Sequence, residues 1–167
     1  MATDYPTSVE QVYRALSDER YWQARLADSG ADEATLERLV VTGDGIDVAT
    51  TQVLAAHRLP RLVTQFHRGD LVIRREETWT PLAGTRATAD IAGSIAAAPV
   101  SLTGNAELSP EKAESPEKNT ARLAFRAEVE VRVPLVGRKL ENFISNQLVD
   151  LLSAEQQFTT GWIAGMH

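Results

Sequence analysis

Three charged side chains fall on faces of the chain that are otherwise apolar, and they are the first indication of a site. Residues 71–80 alternate like a half-buried strand, and Arg75 and Glu77 share the face of its apolar members, Leu71, Ile73 and Trp79. Glu155 lies near the centre of the apolar stripe of a C-terminal helix. A buried carboxylate is costly without a partner or water, and if the alternation of the strand holds, Glu155 could meet Arg75.

This group of charges is compatible with several kinds of chemistry. It could anchor the polar end of a ligand, or it could provide acid–base chemistry through perturbed pKa values. It could equally be a structural ion pair at the mouth of a cavity, or a bulge could turn Arg75 and Glu77 outward. The sequence assigns no catalytic residue among these alternatives.

One long helix, predicted over residues 136–165, would position Glu155. Its apolar residues recur at steps of three and four, which is typical of a buried helical face. They are Leu140, Phe143, Ile144, Leu148, Leu151, Leu152, Phe158 and Trp162. Gln147 and Glu155 interrupt this stripe. Polar side chains on the inner face of a long helix predict that the helix forms one wall of a cavity.

The elements before this helix are a leading segment, two short helices and six strands. The first helix begins with a capping box at Thr7 or Ser8, and the second ends at Gly30. The strands are predicted at residues 36–42, 46–54, 71–80, 85–95, 100–108 and 120–133. Short connections favour antiparallel neighbours, and residues 109–118, which repeat Ser-Pro-Glu-Lys, are predicted as a solvated hairpin tip. This order predicts an α+β fold in a single domain over residues 1–167.

Small residues are frequent on the inner faces of two neighbouring strands. The alternation of the strand at 85–95 places five residues on its inner face: Ala87, Ala89, Ile91, Gly93 and Ile95. The next strand places another five on the same inner face: Val100, Leu102, Gly104, Ala106 and Leu108. In the strand at 120–133 the apolar face carries Phe125. Small residues opposite a helix either allow close packing or leave open volume, and the pattern alone does not decide between them.

Composition excludes several classes of function. The net charge of −6 argues against general nucleic-acid binding, which requires a basic surface. The absence of cysteine removes disulfides and thiolate chemistry, and the three histidines lack metal-ligand spacing. No glycine-rich phosphate loop or membrane-spanning stretch occurs, and no secretory signal is visible at the N-terminus. We therefore expect a cytoplasmic protein with no metal and no cofactor.

The segment at 57–68 is locally basic within this acidic chain. It contains three arginines and no acidic residue, and Leu59, Leu62, Val63 and Phe66 could share one face of a short helix with Pro60 in its first turn. Such a segment could be a lid over a cavity, a contact with an anionic membrane surface, or a connector that packs its apolar side.

Several segments carry a resemblance to a known superfamily. They are Tyr5-Pro6 leading into Val9-Glu10-Gln11-Val12-Tyr13, then Glu77-Thr78-Trp79, and Pro134-Leu135-Val136-Gly137-Arg138-Lys139-Leu140-Glu141. Together with the element order, the chain resembles the START-like, or SRPBCC, superfamily, and within it an actinobacterial branch described only as a domain of unknown function. The resemblance implies a helix-grip fold, in which a curved antiparallel sheet of six to seven strands wraps around a long C-terminal helix.

The resemblance also implies a cavity between the sheet and the helix for an apolar ligand, such as a lipid, an isoprenoid or an aromatic metabolite. It carries over no catalytic motif. The residues expected to line the cavity are Arg75, Glu77, Trp79, Ala89, Ile91, Gly93, Leu102, Gly104, Phe125, Leu140, Ile144, Gln147, Leu151, Glu155 and Phe158. Binding or carriage of such a ligand is the expected function. The alternatives are a cyclase- or aromatase-like enzyme that uses Arg75, Glu77 or Glu155, and an interaction module that acts through residues 57–68.

Overall fold

The structure, a computed structural model, describes residues 1–111 and 120–165. Most of the predicted hairpin tip at 109–118 and the C-terminal His167 lie outside the described residues. The elements follow in the order β1 (Ala2–Tyr5), α1 (Val9–Leu16), α2 (Glu19–Asp28), β2 (Glu33–Thr42), β3 (Gly45–Leu54), α3 (Arg61–Thr64), β4 (Leu71–Trp79), β5 (Ala87–Ile95), β6 (Val100–Pro110), β7 (Ala121–Val131) and α4 (Gly137–Gly165).

The strands form one seven-stranded antiparallel sheet in the order β1-β7-β6-β5-β4-β3-β2. This curved sheet and the long helix α4 confirm the predicted α+β fold. The seventh strand is the short leading segment, which pairs with β7 at the sheet edge, and the Met1 amino group donates to the Phe125 carbonyl at 2.9 Å. Consecutive strands from β2 to β7 are direct neighbours; short turns join β2 to β3 and β5 to β6, whereas residues 55–70 connect β3 to β4.

The two N-terminal helices begin at side-chain caps. The Ser8 hydroxyl accepts from the Gln11 backbone N–H and the Gln11 side chain accepts from the Ser8 backbone N–H, so the second of the two predicted capping boxes is the one that forms. Asp18 caps α2 through the Arg20 backbone N–H at 2.9 Å. Trp22 on α2 donates to the Leu16 carbonyl at 2.8 Å, which fixes the angle between the two helices.

The two ends of the sheet differ in how they are packed. At the closed end, where β4 finishes and β5 begins, the side chains are buried in a hydrophobic core that includes Tyr5, Val12, Tyr21, Ile46, Val48, Trp79, Ala87, Leu108 and Ala121. At the open end, where β3 finishes and β4 begins, several apolar residues of the inner face are only half-buried; they are Ile73, Ile95, Val100, Leu102 and Val129. The apolar stripe of α4 passes from one end to the other.

Three connections meet at the open end. They are residues 55–70 between β3 and β4, residues 96–99 between β5 and β6, and residues 132–136 between β7 and α4. The first contains a 3₁₀ turn at Ala56–Arg58 and the four-residue helix α3, which is the short helix that the pattern within residues 57–68 allowed. Pro60 is the residue immediately before α3, where a missing N–H costs nothing.

Candidate ligand-binding site

Strand β4 places Arg75 and Glu77 on the inner face of the sheet. Its pairing is regular on both sides: Arg75 lies opposite Thr50 and Gly93, and Glu77 opposite Val48 and Ile91. No register shift occurs along β4, so the bulge that would have turned these residues outward is not present there. The two charges therefore point toward helix α4.

Glu155 on α4 meets both of these side chains through a cluster of four charges. Arg75 Nη1 donates to the two carboxylate oxygens of Glu155 at 3.0 and 2.9 Å, and Arg75 Nη2 lies 2.7 Å from Glu77 Oε1. Arg25 from helix α2 forms a second ion pair with Glu155. This ion cluster of Arg25, Arg75, Glu77 and Glu155 joins α2, β4 and α4.

The cluster is balanced in charge and largely removed from water. Two guanidinium groups face two carboxylates, and the side chains retain exposures of only 5% for Glu77, 11% for Arg25, 19% for Glu155 and 20% for Arg75. Burial opposes ionisation of Glu155, but the charges of Arg25 and Arg75 outweigh it and hold the pKa of that carboxyl below its usual range. An ionised carboxylate with both oxygens engaged is a poor proton donor, so the geometry favours an ion pair over acid–base chemistry.

Hydrogen bonds to uncharged side chains fix the cluster from both sides. Trp79 Nε1 donates to Glu77 Oε2 at 3.0 Å within the core. On the other side, Arg25 donates to the Tyr21 hydroxyl at 3.2 Å, and that hydroxyl lies 2.6 Å from Thr159 Oγ1. Thr159 in turn donates to the main-chain carbonyl of residue 155 at 2.8 Å, so its one proton is used there and Tyr21 must be the donor between the two hydroxyls.

A small cavity of about 40 Å³ lies on the closed side of the ion cluster, next to Tyr5, Tyr21 and Trp79. Its volume suits a few water molecules at most. Burial, the largest cause, raises the pKa of the Tyr5 hydroxyl well above its usual range, so this phenol stays neutral. This side of the cluster is therefore core rather than a ligand pocket.

A much larger, partly open cavity of about 620 Å³ lies on the other side of the cluster. It is bounded by the inner faces of β4–β7, by the N-terminal half of α4 and by the connection at 55–70. Phe143, Ile144 and Leu148 on α4 are only half-buried because they face this space instead of packed side chains. Arg75 borders both cavities, so the ion cluster forms the polar floor of an apolar pocket.

The structure distributes the predicted lining residues among three places. Nine border the large cavity: Arg75, Ile91, Gly93, Leu102, Phe125, Leu140, Ile144, Gln147 and Leu151. Glu77, Trp79 and Glu155 belong to the ion cluster and its hydrogen bonds.

The remaining three predicted lining residues lie away from the large cavity. Ala89 is buried in the closed core, and Phe158 packs near Tyr21, with ring centroids 6.0 Å apart. Gly104 lies where β6 and β7 approach closely, since a Cβ there would come within 2.5 Å of the Arg126 carbonyl oxygen.

Sequence reasoning missed Arg25, which supplies half of the positive charge in the cluster. Tyr21, Trp22 and Leu26 mark the buried face of α2, and Arg25 lies on that same face, four residues after Tyr21. Its guanidinium also lies 4.7 Å from the centroid of the Trp22 ring, a cation–π distance. An arginine within an apolar helical stripe was the signal that could have identified it.

Comparison with known proteins identifies the family. The model of the family described as "Protein of unknown function (DUF2505)" matches residues 1–163. The chain belongs to this family. Relatives of the DUF2505 chain include uncharacterised proteins of Mycobacterium tuberculosis and Mycobacterium bovis, each 50% identical over 168 residues, which cover 98% of this chain and 94% of the relative.

Two solved structures share the fold of this DUF2505 chain. A conserved protein from Geobacillus kaustophilus gives a TM-score of 0.60 at 14% identity, covering 99% of this chain and 94% of that chain. The protein TTHA0849 from Thermus thermophilus gives 0.61 at 13% identity, covering 98% and 94%. At these identities the similarity concerns the fold alone. Among the described residues, no helix combines the length and apolarity needed to cross a membrane.

Proposed function

We propose that this protein binds a small, predominantly apolar molecule in the large cavity between the sheet and helix α4. The volume of about 620 Å³ carries the proposal, because it falls within the range of about 300–1,000 Å³ typical of small-molecule sites. The resemblance to the SRPBCC superfamily, whose members hold ligands between sheet and helix, supports the same reading.

The walls of the cavity favour an apolar occupant over water. Because the cavity is partly open, water can enter it, but there it contacts mostly apolar side chains, such as Ile73, Leu102 and Phe143. An apolar ligand would return this water to bulk solvent and remove apolar surface from water.

The polar floor selects among such ligands. The charges of the ion cluster cancel, so a ligand carboxylate placed beside Arg75 would add an uncompensated buried charge. Arg75 engages the two carboxylates through Nη1 and Nη2, and within the described residues its Nε–H makes no hydrogen bond. This donor suits a neutral acceptor, so we propose a ligand with a carbonyl, hydroxyl or ether oxygen at one end.

Titration with the neutral fluorescent probe N-phenyl-1-naphthylamine tests the proposal. Gly93 borders the cavity, and a Cβ there meets no atom closer than 3.5 Å, so Gly93→Phe should fold and fill the space next to Arg75. We expect the wild type to bind the probe and Gly93→Phe to lose most of that binding. Ala92→Phe is the matched control, because Ala92 is the exposed neighbour on the same strand.

A second pair of variants keeps the test valid if Gly93→Phe does not fold. Ile144→Trp fills the cavity from helix α4, and Asn146→Trp places the same side chain on the exposed face of that helix. Absence of probe binding by the wild type, or binding that survives both filling variants, would overturn the proposal. As an independent measurement, native mass spectrometry of protein purified from its own host would identify any ligand that remains bound.

A further inference from the structure

The rim of the large cavity combines positive charge with protruding apolar side chains. Two segments at the open end, residues 57–69 within the β3–β4 connection and residues 131–140 from the end of β7 to the first turn of α4, hold six of the 17 Lys and Arg residues and none of the 23 Asp and Glu residues. In a chain with a net charge of −6, this is a strong local reversal of sign. We call these two segments the mouth surface.

Several of these cations have no acidic partner. Within the part of the chain that the structure describes, Arg61, Arg68, Arg138 and Lys139 are exposed and make no salt bridge. By contrast, Arg58 pairs with Asp32 at 3.0 Å. The positive charges of Arg61, Arg68, Arg138 and Lys139 therefore face solvent without a salt-bridge partner among the described residues.

Two large apolar side chains project from the same surface. Phe66 is 45% exposed at the edge of the cavity, and Leu135 is fully exposed between β7 and α4. Leu135 has a backbone φ of +71°, a conformation that a leucine rarely adopts. The turn is held by Val136 N–H donating to the Pro134 carbonyl at 2.9 Å and by Gly137 N–H donating to the Val133 carbonyl at 3.0 Å, so Leu135 is held outward.

We propose that the mouth surface docks on an anionic lipid membrane, with Phe66 and Leu135 inserted among the lipids and the uncompensated cations at the headgroups. Apolar side chains flanked by Lys and Arg are the combination that binds such an interface. Docking in this orientation would place the cavity opening against the bilayer, where apolar molecules are dissolved. Membrane docking would be a property of this surface and does not depend on ligand binding in the cavity.

Flotation with lipid vesicles provides the test. We expect the wild type to bind vesicles of equal parts phosphatidylcholine and phosphatidylglycerol, and not vesicles of phosphatidylcholine alone. Raising the salt from about 0.1 M to about 1 M shortens the screening length from about 10 Å to about 3 Å and should release most of the protein. Each of Arg61→Gln and Arg68→Gln should weaken binding about fivefold, whereas Arg126→Gln, on the outer face of the sheet, should leave it unchanged.

The apolar contribution is tested by Leu135→Asp and Phe66→Asp, each expected to weaken vesicle binding at least about tenfold. Val40→Asp is the matched control, since Val40 is 47% exposed on the edge strand β2, near the closed end. No binding to anionic vesicles, or binding unaffected by the mouth-surface variants, would overturn the proposal. So would a change of oligomeric state in Leu135→Asp, because the surface would then be a subunit interface.

Discussion

The substitution Glu155→Gln tests whether the ion cluster is the buried, charge-balanced unit that the geometry indicates. It keeps the size of the side chain but removes one of two negative charges, which leaves Arg25 and Arg75 facing only Glu77. Breaking a fully buried ion pair costs about 3–5 kcal/mol. Because these side chains retain 11–20% exposure, we expect a loss of about 3 kcal/mol in the free energy of unfolding.

Thermal unfolding followed by circular dichroism measures this loss directly. For a chain of this length, about 3 kcal/mol corresponds to a decrease in Tm of about 6–12 °C. The matched control is Glu107→Gln, which removes a carboxylate that pairs with Arg86 at 2.9 Å on the exposed face of the sheet. An exposed pair contributes about 0–1 kcal/mol, so this variant should unfold close to the wild type. Equal losses in the two variants would refute the reasoning.

The dependence of this loss on pH provides a second, independent measurement. The folded-state pKa of Glu155 is lower than its ordinary value of 4.5, so its contribution is present above that value and is lost as the pH falls through the folded-state pKa. We therefore expect the difference in unfolding free energy between the wild type and Glu155→Gln to be largest at neutral pH and to narrow below about pH 4.5. A difference that stayed constant into strongly acidic solution would contradict the assigned ionisation.

Two further substitutions test the packing around the site, each by urea unfolding followed by circular dichroism. Trp79→Phe should lower the free energy of unfolding by about 1–2 kcal/mol, because Glu77 loses a buried hydrogen-bond donor. Trp162→Phe is the control and should lose no hydrogen bond, since Trp162 Nε1 has no partner within the described residues. Equal losses of unfolding free energy in the two variants would contradict this assignment. Gly104→Ala should cost about 1–3 kcal/mol because its Cβ would lie 2.5 Å from a backbone carbonyl of the neighbouring strand. Gly93→Ala, with 3.5 Å of clearance, should be tolerated, and the reverse ranking would refute the steric argument.

Much of the fold was predictable because periodicity reports burial directly. The alternation along β4 and the three- and four-residue steps along α4 located both elements, and together they predicted that Arg75 and Glu155 face each other. The short strand β1 was harder to recognise. Four residues carry little alternation, and its partner β7 lies more than a hundred residues away in the chain.

The remainder of the site depends on information that a one-dimensional pattern does not contain. Periodicity assigns a residue to a face, but it does not say how far along the sheet the packed core extends. Ala89 and Gly93 share a face of β5, yet Ala89 is buried against the closed core and Gly93 borders the large cavity. Their difference is set by what lies opposite, namely whether helices α1 and α2 cover that part of the sheet.

The position of the ion cluster gives a physical reason for keeping charges inside this molecule. A well-packed apolar replacement of such a cluster is often equally stable or more stable, so stability alone does not explain its presence. Here it lies between a closed core and a cavity of about 620 Å³, and Arg75 is in contact with both. Oriented ion pairs to three elements hold this boundary fixed, whereas an apolar layer could collapse into the empty space. The cluster thereby keeps the floor of the pocket in place, as the proposed binding of a neutral, largely apolar ligand would require.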